Sequence, residues 1–249
     1  QAVKLSASRG PGHLSATFVV ALKKATQNIV LLSASMAVVL ILAFWFVFAQ
    51  LMREPDFGPL PDFAAIKDVS QMKAAFIDYL QPIVAYHNQQ ILDQRERLRK
   101  LGKKLQSPDG LSTLDKRKLT QLADTYKAEW HGVDPFQTYR ALLLKVDEVP
   151  MRLAVAQAAK ESGWGRSRFA RQGNNLFGQW CFEAGCGIVP TNRAAGKKHE
   201  VASFDSVSDA VRNYLHNLNS HPSYHELRRI RATQRDEGEE IGRASCRER

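Results

Sequence analysis

Between Lys24 and Arg53 the chain carries no charged side chain. The centre of that stretch, IVLLSASMAVVLILAFWFVFA (Ile29–Ala49), is long and apolar enough for a transmembrane helix, which needs ~20 such residues. Lys23 and Lys24 precede it, and Arg53, Glu54 and Asp56 follow. Positive charge on the entering side places the N-terminus in the cytoplasm and everything after the span outside, with Trp45 near the outer interface. The competing reading is a signal peptide cleaved after Val47-Phe48-Ala49, but the run exceeds a signal core of roughly 7–15 residues, so an uncleaved anchor is preferred. Either way, Met52 onward is expected on the far side of the membrane from the N-terminus. The expected division is a basic cytoplasmic tail at 1–27, the anchor at 28–50, a linker at 51–63, a helical region at 64–132, a main domain at 133–240 and a tail at 241–249.

Both ends call for care. The chain starts with Gln, not Met, so an incomplete or processed N-terminus is expected. The last residues, IGRASCRER (Ile241–Arg249), resemble a translated sequencing adapter, and the natural protein is expected to continue past Glu240. The net charge is +10. Lys4, Arg9, Lys23 and Lys24 stand unopposed in residues 1–27, and Arg243, Arg247 and Arg249 sit in the tail. What remains is mildly basic, which suits a polyanionic envelope polymer without specifying one. No basic face accompanies a nucleic-acid-binding module, so no nucleic-acid partner is expected.

The exported part is mainly helical in pattern. After the linker Glu54–Pro61 (EPDFGPLP), the apolar positions Met72, Phe76, Tyr79, Leu80, Ile83, Val84 and Ile91 predict a helix over Val69–Leu105. Its end, RERLRKLGKK, is a basic solvated face. Ser107–Gly110 (SPDG) is a turn. Further helices are predicted over Leu114–Trp130 and, behind Asp134-Pro135, over Phe136–Val146. With Cys246 set aside in the tail, Cys181 and Cys186 remain, and in an exported domain they are expected to form a disulfide. Zinc would need two further ligands nearby.

Chemistry concentrates after Asp147. Pro150 suits the first turn of a helix, Met151–Ser162 is small and apolar on several sides, and Gly163 suits the residue that ends it. Glu161 then lies in the last turn of a buried helix. The negative end of the helix dipole and an apolar Trp164 both disfavour a charged carboxylate there, which is what a general acid requires. The alternative is a structural acid paired with Arg166 or Arg168. Position alone does not separate the two.

Several ordered elements surround Glu161: VDEVP, AAKESGWGRSRFARQGNNLFGQW (Ala158–Trp180), GCGIVP and FDSVSDAVRNYLHNLNSHPSY. Together they resemble the glucosaminidase domain of glycoside hydrolase family 73, in its Bax-like branch, over roughly residues 82–224. The resemblance implies a mainly α, lysozyme-like fold with a small β-hairpin lobe across a sugar-binding cleft. It implies cleavage of β-1,4 bonds of peptidoglycan between N-acetylglucosamine and N-acetylmuramic acid, with no cofactor. Glu161 falls on the family's catalytic acid and Tyr214 on a tyrosine at the cleft.

The remaining candidates keep alternatives. Ser206 and Asp209 form the start of a helix whose face Val207, Ala210, Val211, Tyr214, Leu215 and Leu218 is apolar, so Tyr214 is either a cleft residue or a core residue. Asn174 and Asn175 follow Gly173, and their amides suit either sugar hydroxyls and acetamides or loop-shaping hydrogen bonds. Phe177 and Trp180 are either sugar-stacking or packed. A glycosidase commonly uses a second carboxylate. The lobe, Cys181–Phe204, offers Glu183 and Glu200; a strand over Val201–Phe204 favours Glu200 projecting into the cleft. Assistance by the substrate's acetamide would lessen that need. His216, His221 and His225 approach ligand spacing, but Pro222 breaks any single helix that would align them. Two other functions stay in view: lytic transglycosylase chemistry, and a non-catalytic scaffold that binds the wall.

Overall fold

A computed structural model describes residues 24, 36, 38–48, 53–130, 132, 134–191, 193 and 196–237. The chain divides into residues 1–56 and 57–249. In the first unit, residues 38–48 are helical with exposed apolar side chains. Among the described residues no helix is long and apolar enough to cross a membrane. Most of the rest of the expected 28–50 anchor lies outside the described residues, as do 238–240 and the tail 241–249.

The second unit is built on one long helix, α1 (Val69–Leu105), begun where the Asp68 side chain accepts from the Gln71 amide. Its buried side is Met72, Phe76, Leu80, Ile83, Val84, Ile91, Leu98 and Leu101, a stripe at helical spacing. Pro82 lies inside α1 without ending it. Helix α2 (Thr113–Thr125) starts with a reciprocal cap between Ser112 and Asp115. It stops before the predicted Trp130, because Lys127 takes a positive φ of 50° and Ala128 N donates back to Ala123 O. Then come α3 (Pro135–Lys145), α4 (Met151–Ser162) and the short α5 (Arg168–Gly173). The lobe holds β1 (Trp180–Cys181), β2 (Gly187–Ile188) and β3 (Glu200–Ala202), antiparallel in the order β1-β3-β2. Trp180 pairs with Val201 and Ile188 pairs with the same Val201 from the other side. The chain finishes with α6 (Val207–Ser220), a 3-10 turn at Pro222–Tyr224 and α7 (His225–Asp236).

Helix α1 packs on α3, α4 and α6. Residues 64–132 therefore share one apolar core with residues 133–237, across the boundary expected at 132/133. Helix α4 is less enclosed than its sequence predicts. Only Ala154, Ala158, Ala159 and Ser162 are buried; one face packs on α1 while Arg152, Ala156, Lys160 and Glu161 face outward. Small side chains permit close packing on every side, but only one side is fully buried.

The segment that leads into α4 is held by side chains rather than by regular structure. Asn88 on α1 donates to Val149 O at 2.8 Å and accepts from Val149 N at 2.9 Å. The fully buried Arg231 on α7 donates to the carbonyls of Asp147 and Glu148 at 3.1 and 2.9 Å and to Asn219 Oδ1 at 2.7 Å. Arg95 on α1 donates to the carbonyls of Leu143 and Val146 at 2.6 and 2.8 Å. At the centre lies Asp147, 1% exposed, which accepts from Arg235 at 2.8 and 2.5 Å. Buried backbone carbonyls need donors, and guanidinium groups supply several from one side chain.

Candidate active site

The end of α4 positions Glu161. Gly163, Trp164 and Gly165 all have positive φ (58°, 62° and 74°), which turns the chain away sharply after Ser162. Ser162 braces the turn, donating to Ala158 O at 2.6 Å and accepting from Gly165 N at 2.7 Å. A side chain at Gly165 would meet the Phe63 ring at 2.6 Å, so glycine is required there on two counts. The Trp164 ring packs edge-on to Phe76 of α1, with centroids 5.6 Å apart, and Lys73 Nζ lies 5.2 Å from its centre. The ring that the sequence sets beside Glu161 as an apolar wall is thus packed on α1.

Glu161 is exposed, contrary to the expected burial. Neither Arg166 nor Arg168 pairs with it: Arg166 Nε donates to Gly163 O at 3.0 Å, and Arg168 Nη2 donates to Val189 O at 3.0 Å. Gly178 lies beside its carboxylate. A methyl group built on Gly178 would stand 3.8 Å from Glu161 Oε2. The Glu161 charge also acts on Tyr214, whose phenol is pushed well above its ordinary range, first by burial, then by Tyr224, then by Glu161. The acid therefore lies beside a bare backbone segment, its charge reaches the Tyr214 phenol, and no cation is bound to it among the described residues.

Tyr214 joins the two expected alternatives. Its ring is 8% exposed and stacks on Phe177 at 3.9 Å and 8°. Its hydroxyl makes no hydrogen bond with the described residues, so the ring is core while the polar end is left for a ligand or water. Phe177, itself buried, is the floor under that ring.

Asn175 shapes the loop that carries Gly178. Its side chain is 2% exposed and fully used: Nδ2 donates to Gln179 O and Ala202 O at 2.9 and 2.8 Å, and Oδ1 accepts from Phe177 N and Gln179 N at 3.2 and 3.1 Å. No donor or strong acceptor is left for a sugar. The expected binding role of Asn175 thus gives way to the loop-shaping one. Asn174, in the left-handed region at the end of α5, donates to Phe204 O at 2.8 Å and Asp205 O at 3.3 Å. Both amides tie the 174–180 loop to the β-lobe and the start of α6.

In the lobe, Cys181 and Cys186 are joined, with their Cα atoms 6.2 Å apart. Glu200 is 7% exposed and turns into the loop that this bond closes, accepting from Gly185 N at 3.2 Å and Gly187 N at 2.9 Å. This corrects the expectation that Glu200 projects into a cleft. Alternation along a strand says which side a residue takes, but the two unpaired amides of the loop draw the carboxylate inward. Glu183 is exposed on the same loop. Trp180 is 60% exposed and stacks on the His199 ring at 4.4 Å, leaving its other face open.

The structure therefore brings Glu161, Phe177, Gly178 and Tyr214 together, places Trp180 and Glu183 exposed on the lobe, and assigns Asn174, Asn175 and Glu200 to holding the loops. Sequence reasoning missed Gly178 and the arginine network around Asp147. Arg228, Arg231 and Arg235 fall on one face of α7 at helical spacing, and a row of arginines where an apolar stripe belongs is the signal that could have shown it.

Comparisons with known proteins bear on the same region of the chain. Residues 137–242 match the glucosaminidase family model, described as mannosyl-glycoprotein endo-beta-N-acetylglucosaminidase. The match supports a glucosaminidase-type domain, and the matched residues include Glu161, the 174–180 loop, the disulfide lobe and Tyr214. Among curated proteins it resembles protein Bax of Escherichia coli strain K12, with 35% identity over 182 residues, or 73% of this chain and 63% of that relative. The chain thus spans about 63% of the length of the curated relative it matches. No solved structure matches.

Proposed function

We propose that this protein hydrolyses the β-1,4 bonds of peptidoglycan between N-acetylglucosamine and N-acetylmuramic acid, with Glu161 as the proton donor. The observation that carries this reading is the setting of Glu161: exposed, without a cation partner among the described residues, and beside the side-chain-free Gly178. A side-chain-free glycine lets a glycosidic oxygen approach the carboxyl. The open face of Trp180 supplies a stacking surface for a sugar ring. The apolar run at Ile29–Ala49, with lysines before and acids after, supports attachment to the bacterial inner membrane with this domain in the periplasm. A disulfide in the lobe suits that oxidising compartment.

With the Glu200 carboxylate engaged by loop amides, Glu183 is the acid on the lobe left to act across from Glu161. The same engagement favours, as the second reading, a one-acid reaction of the lytic transglycosylase type, whose products end in an anhydro ring. Digestion of purified peptidoglycan separates these. New reducing ends on N-acetylglucosamine support hydrolysis as stated, anhydromuramic ends support the second reading, and no release from folded protein refutes both in favour of a non-catalytic wall-binding scaffold. Glu161→Gln should lower the rate by about 10²–10⁴-fold with the fold retained; unchanged turnover would refute the assignment.

A further inference from the structure

Outside the region that the family model matches, α1 and α2 enclose a groove of about 520 Å³. Its lining includes Arg97, Lys100, Lys104 and Lys118, with Asp115 as its one acid. Asp115 is already used: Lys104 Nζ donates to both its oxygens at 3.1 and 2.9 Å, and Ser112 Oγ donates to it at 2.7 Å. Arg97, Lys100 and Lys118 are exposed and form no ion pair among the described residues. The groove therefore presents three cations that no acid of its own wall offsets. Leu101 and Leu122 add apolar surface, and Gln94 and Gln121 add amide groups.

That combination has a definite chemistry. Several unpaired cations select an anion with more than one charge. Side-chain amides match the donors and acceptors of peptide bonds. A leucine floor suits small methyl-bearing side chains. A short acidic peptide has all three properties close together, whereas a glycan strand stripped of its peptides keeps one lactyl carboxylate and methyl per disaccharide, too widely spaced to meet three cations of one groove. We infer that the α1–α2 groove is a second, non-catalytic site that binds the acidic stem peptides of peptidoglycan, an inference that rests on the substrate proposed above. Glu161 then works on the glycan while the groove holds the peptides that hang from it. The basic end of α1, which the proposed catalysis leaves unused, acquires a role as the anchor on the polymer.

The test uses the full chain carrying Glu161→Gln, so that binding is measured without cleavage, and purified sacculi in a sedimentation assay at low salt. The groove variant combines Arg97→Gln, Lys100→Gln and Lys118→Gln; a control with the same loss of charge combines Lys103→Gln, Lys116→Gln and Arg117→Gln, all exposed and outside the lining. The groove variant should bind intact sacculi about tenfold more weakly, the sum of three modest ion contacts, with the control within about twofold. Glycan strands stripped of stem peptides by an amidase should bind both variants alike. Equal binding of the two variants to intact sacculi overturns the inference, as does an equal loss by the groove variant on stripped strands. Loss on anionic phospholipid vesicles, with binding to sacculi kept, overturns it in favour of a membrane surface. Release of reducing ends by the chain with Glu161 intact is scored separately, so a failure of the proposed hydrolysis is distinguishable from a failure of the groove.

Discussion

Replacing Asp147 by asparagine tests the claim that the approach to the active-site helix is held by charge. The Asp147 side chain is 2% exposed, with Arg235 bound through both oxygens at 2.8 and 2.5 Å, Arg95 at 3.5 Å and Arg231 at 3.9 Å. Burial lowers the Arg231 pKa to about 10, and the Asp147 charge acts against that fall. Asparagine keeps the shape and removes the only buried negative charge of the group. Two buried guanidinium groups would then lack an anion, while Arg235, partly exposed, would retain Glu148 at 3.0 Å. Removing one partner of a buried pair costs about 3–5 kcal/mol. The surviving Glu148 contact and the backbone carbonyls bring this to the lower end, about 3 kcal/mol. For a urea slope of about 2 kcal/mol/M, the midpoint should fall by about 1.5 M. Equilibrium unfolding followed by far-ultraviolet circular dichroism at pH 7 measures it. A fall below about 0.4 M with an unchanged slope would show that the network contributes little, and the reasoning would be wrong.

Two further outcomes follow from the geometry. Hydrogen bonds from Lys104, then from Ser112, hold the Asp115 carboxyl below its ordinary value of 3.8. Its contribution to stability is therefore complete above about pH 4 and is lost as pH falls through the lower folded-state value; Asp115→Asn should flatten the acid limb of a melting-temperature profile below pH 4, and an unaltered limb would contradict the assignment. Tyr214→Phe keeps the stack on Phe177 and removes a hydroxyl with no partner among the described residues, so unfolding should change by less than about 0.5 kcal/mol, while turnover on peptidoglycan should drop by about tenfold or more; a large loss of stability with full turnover would make Tyr214 a core residue only.

Local signals carried much of the fold. The spacing of Met72, Phe76, Leu80, Ile83 and Leu98 matches the buried stripe of α1, and Gly163 ends α4 in the left-handed region as its position predicts. Ser206 caps α6 by accepting from Asp209 N, again as a short-range pattern indicates. The cysteine pair was legible because only a few residues separate its members. What failed was orientation across distance. Asn175 and Glu200 are polar residues near the expected cleft, and each owes its inward setting in part to partners distant in sequence. The partners of Glu200 lie across the lobe, and one partner of Asn175 is the β3 carbonyl of Ala202. The arginines of α7 carry no meaning until α3 and α4 are placed beside them.

That arrangement also bears on the order in which the molecule can be completed. Arg231 meets Asp147 across 84 residues of sequence, and Arg235 does so across 88. Contacts of such separation form late, after the loops between them have closed. Helix α7, which steadies the entrance to α4, is synthesised after every other described element of this unit. A nascent chain can wind α1 and close the disulfide lobe, yet its acid-bearing helix stays without its far support until α7 has docked. Maturation of the site is thereby tied to completion of this unit, and a chain interrupted before α7 would carry every catalytic candidate without the strap that sets them.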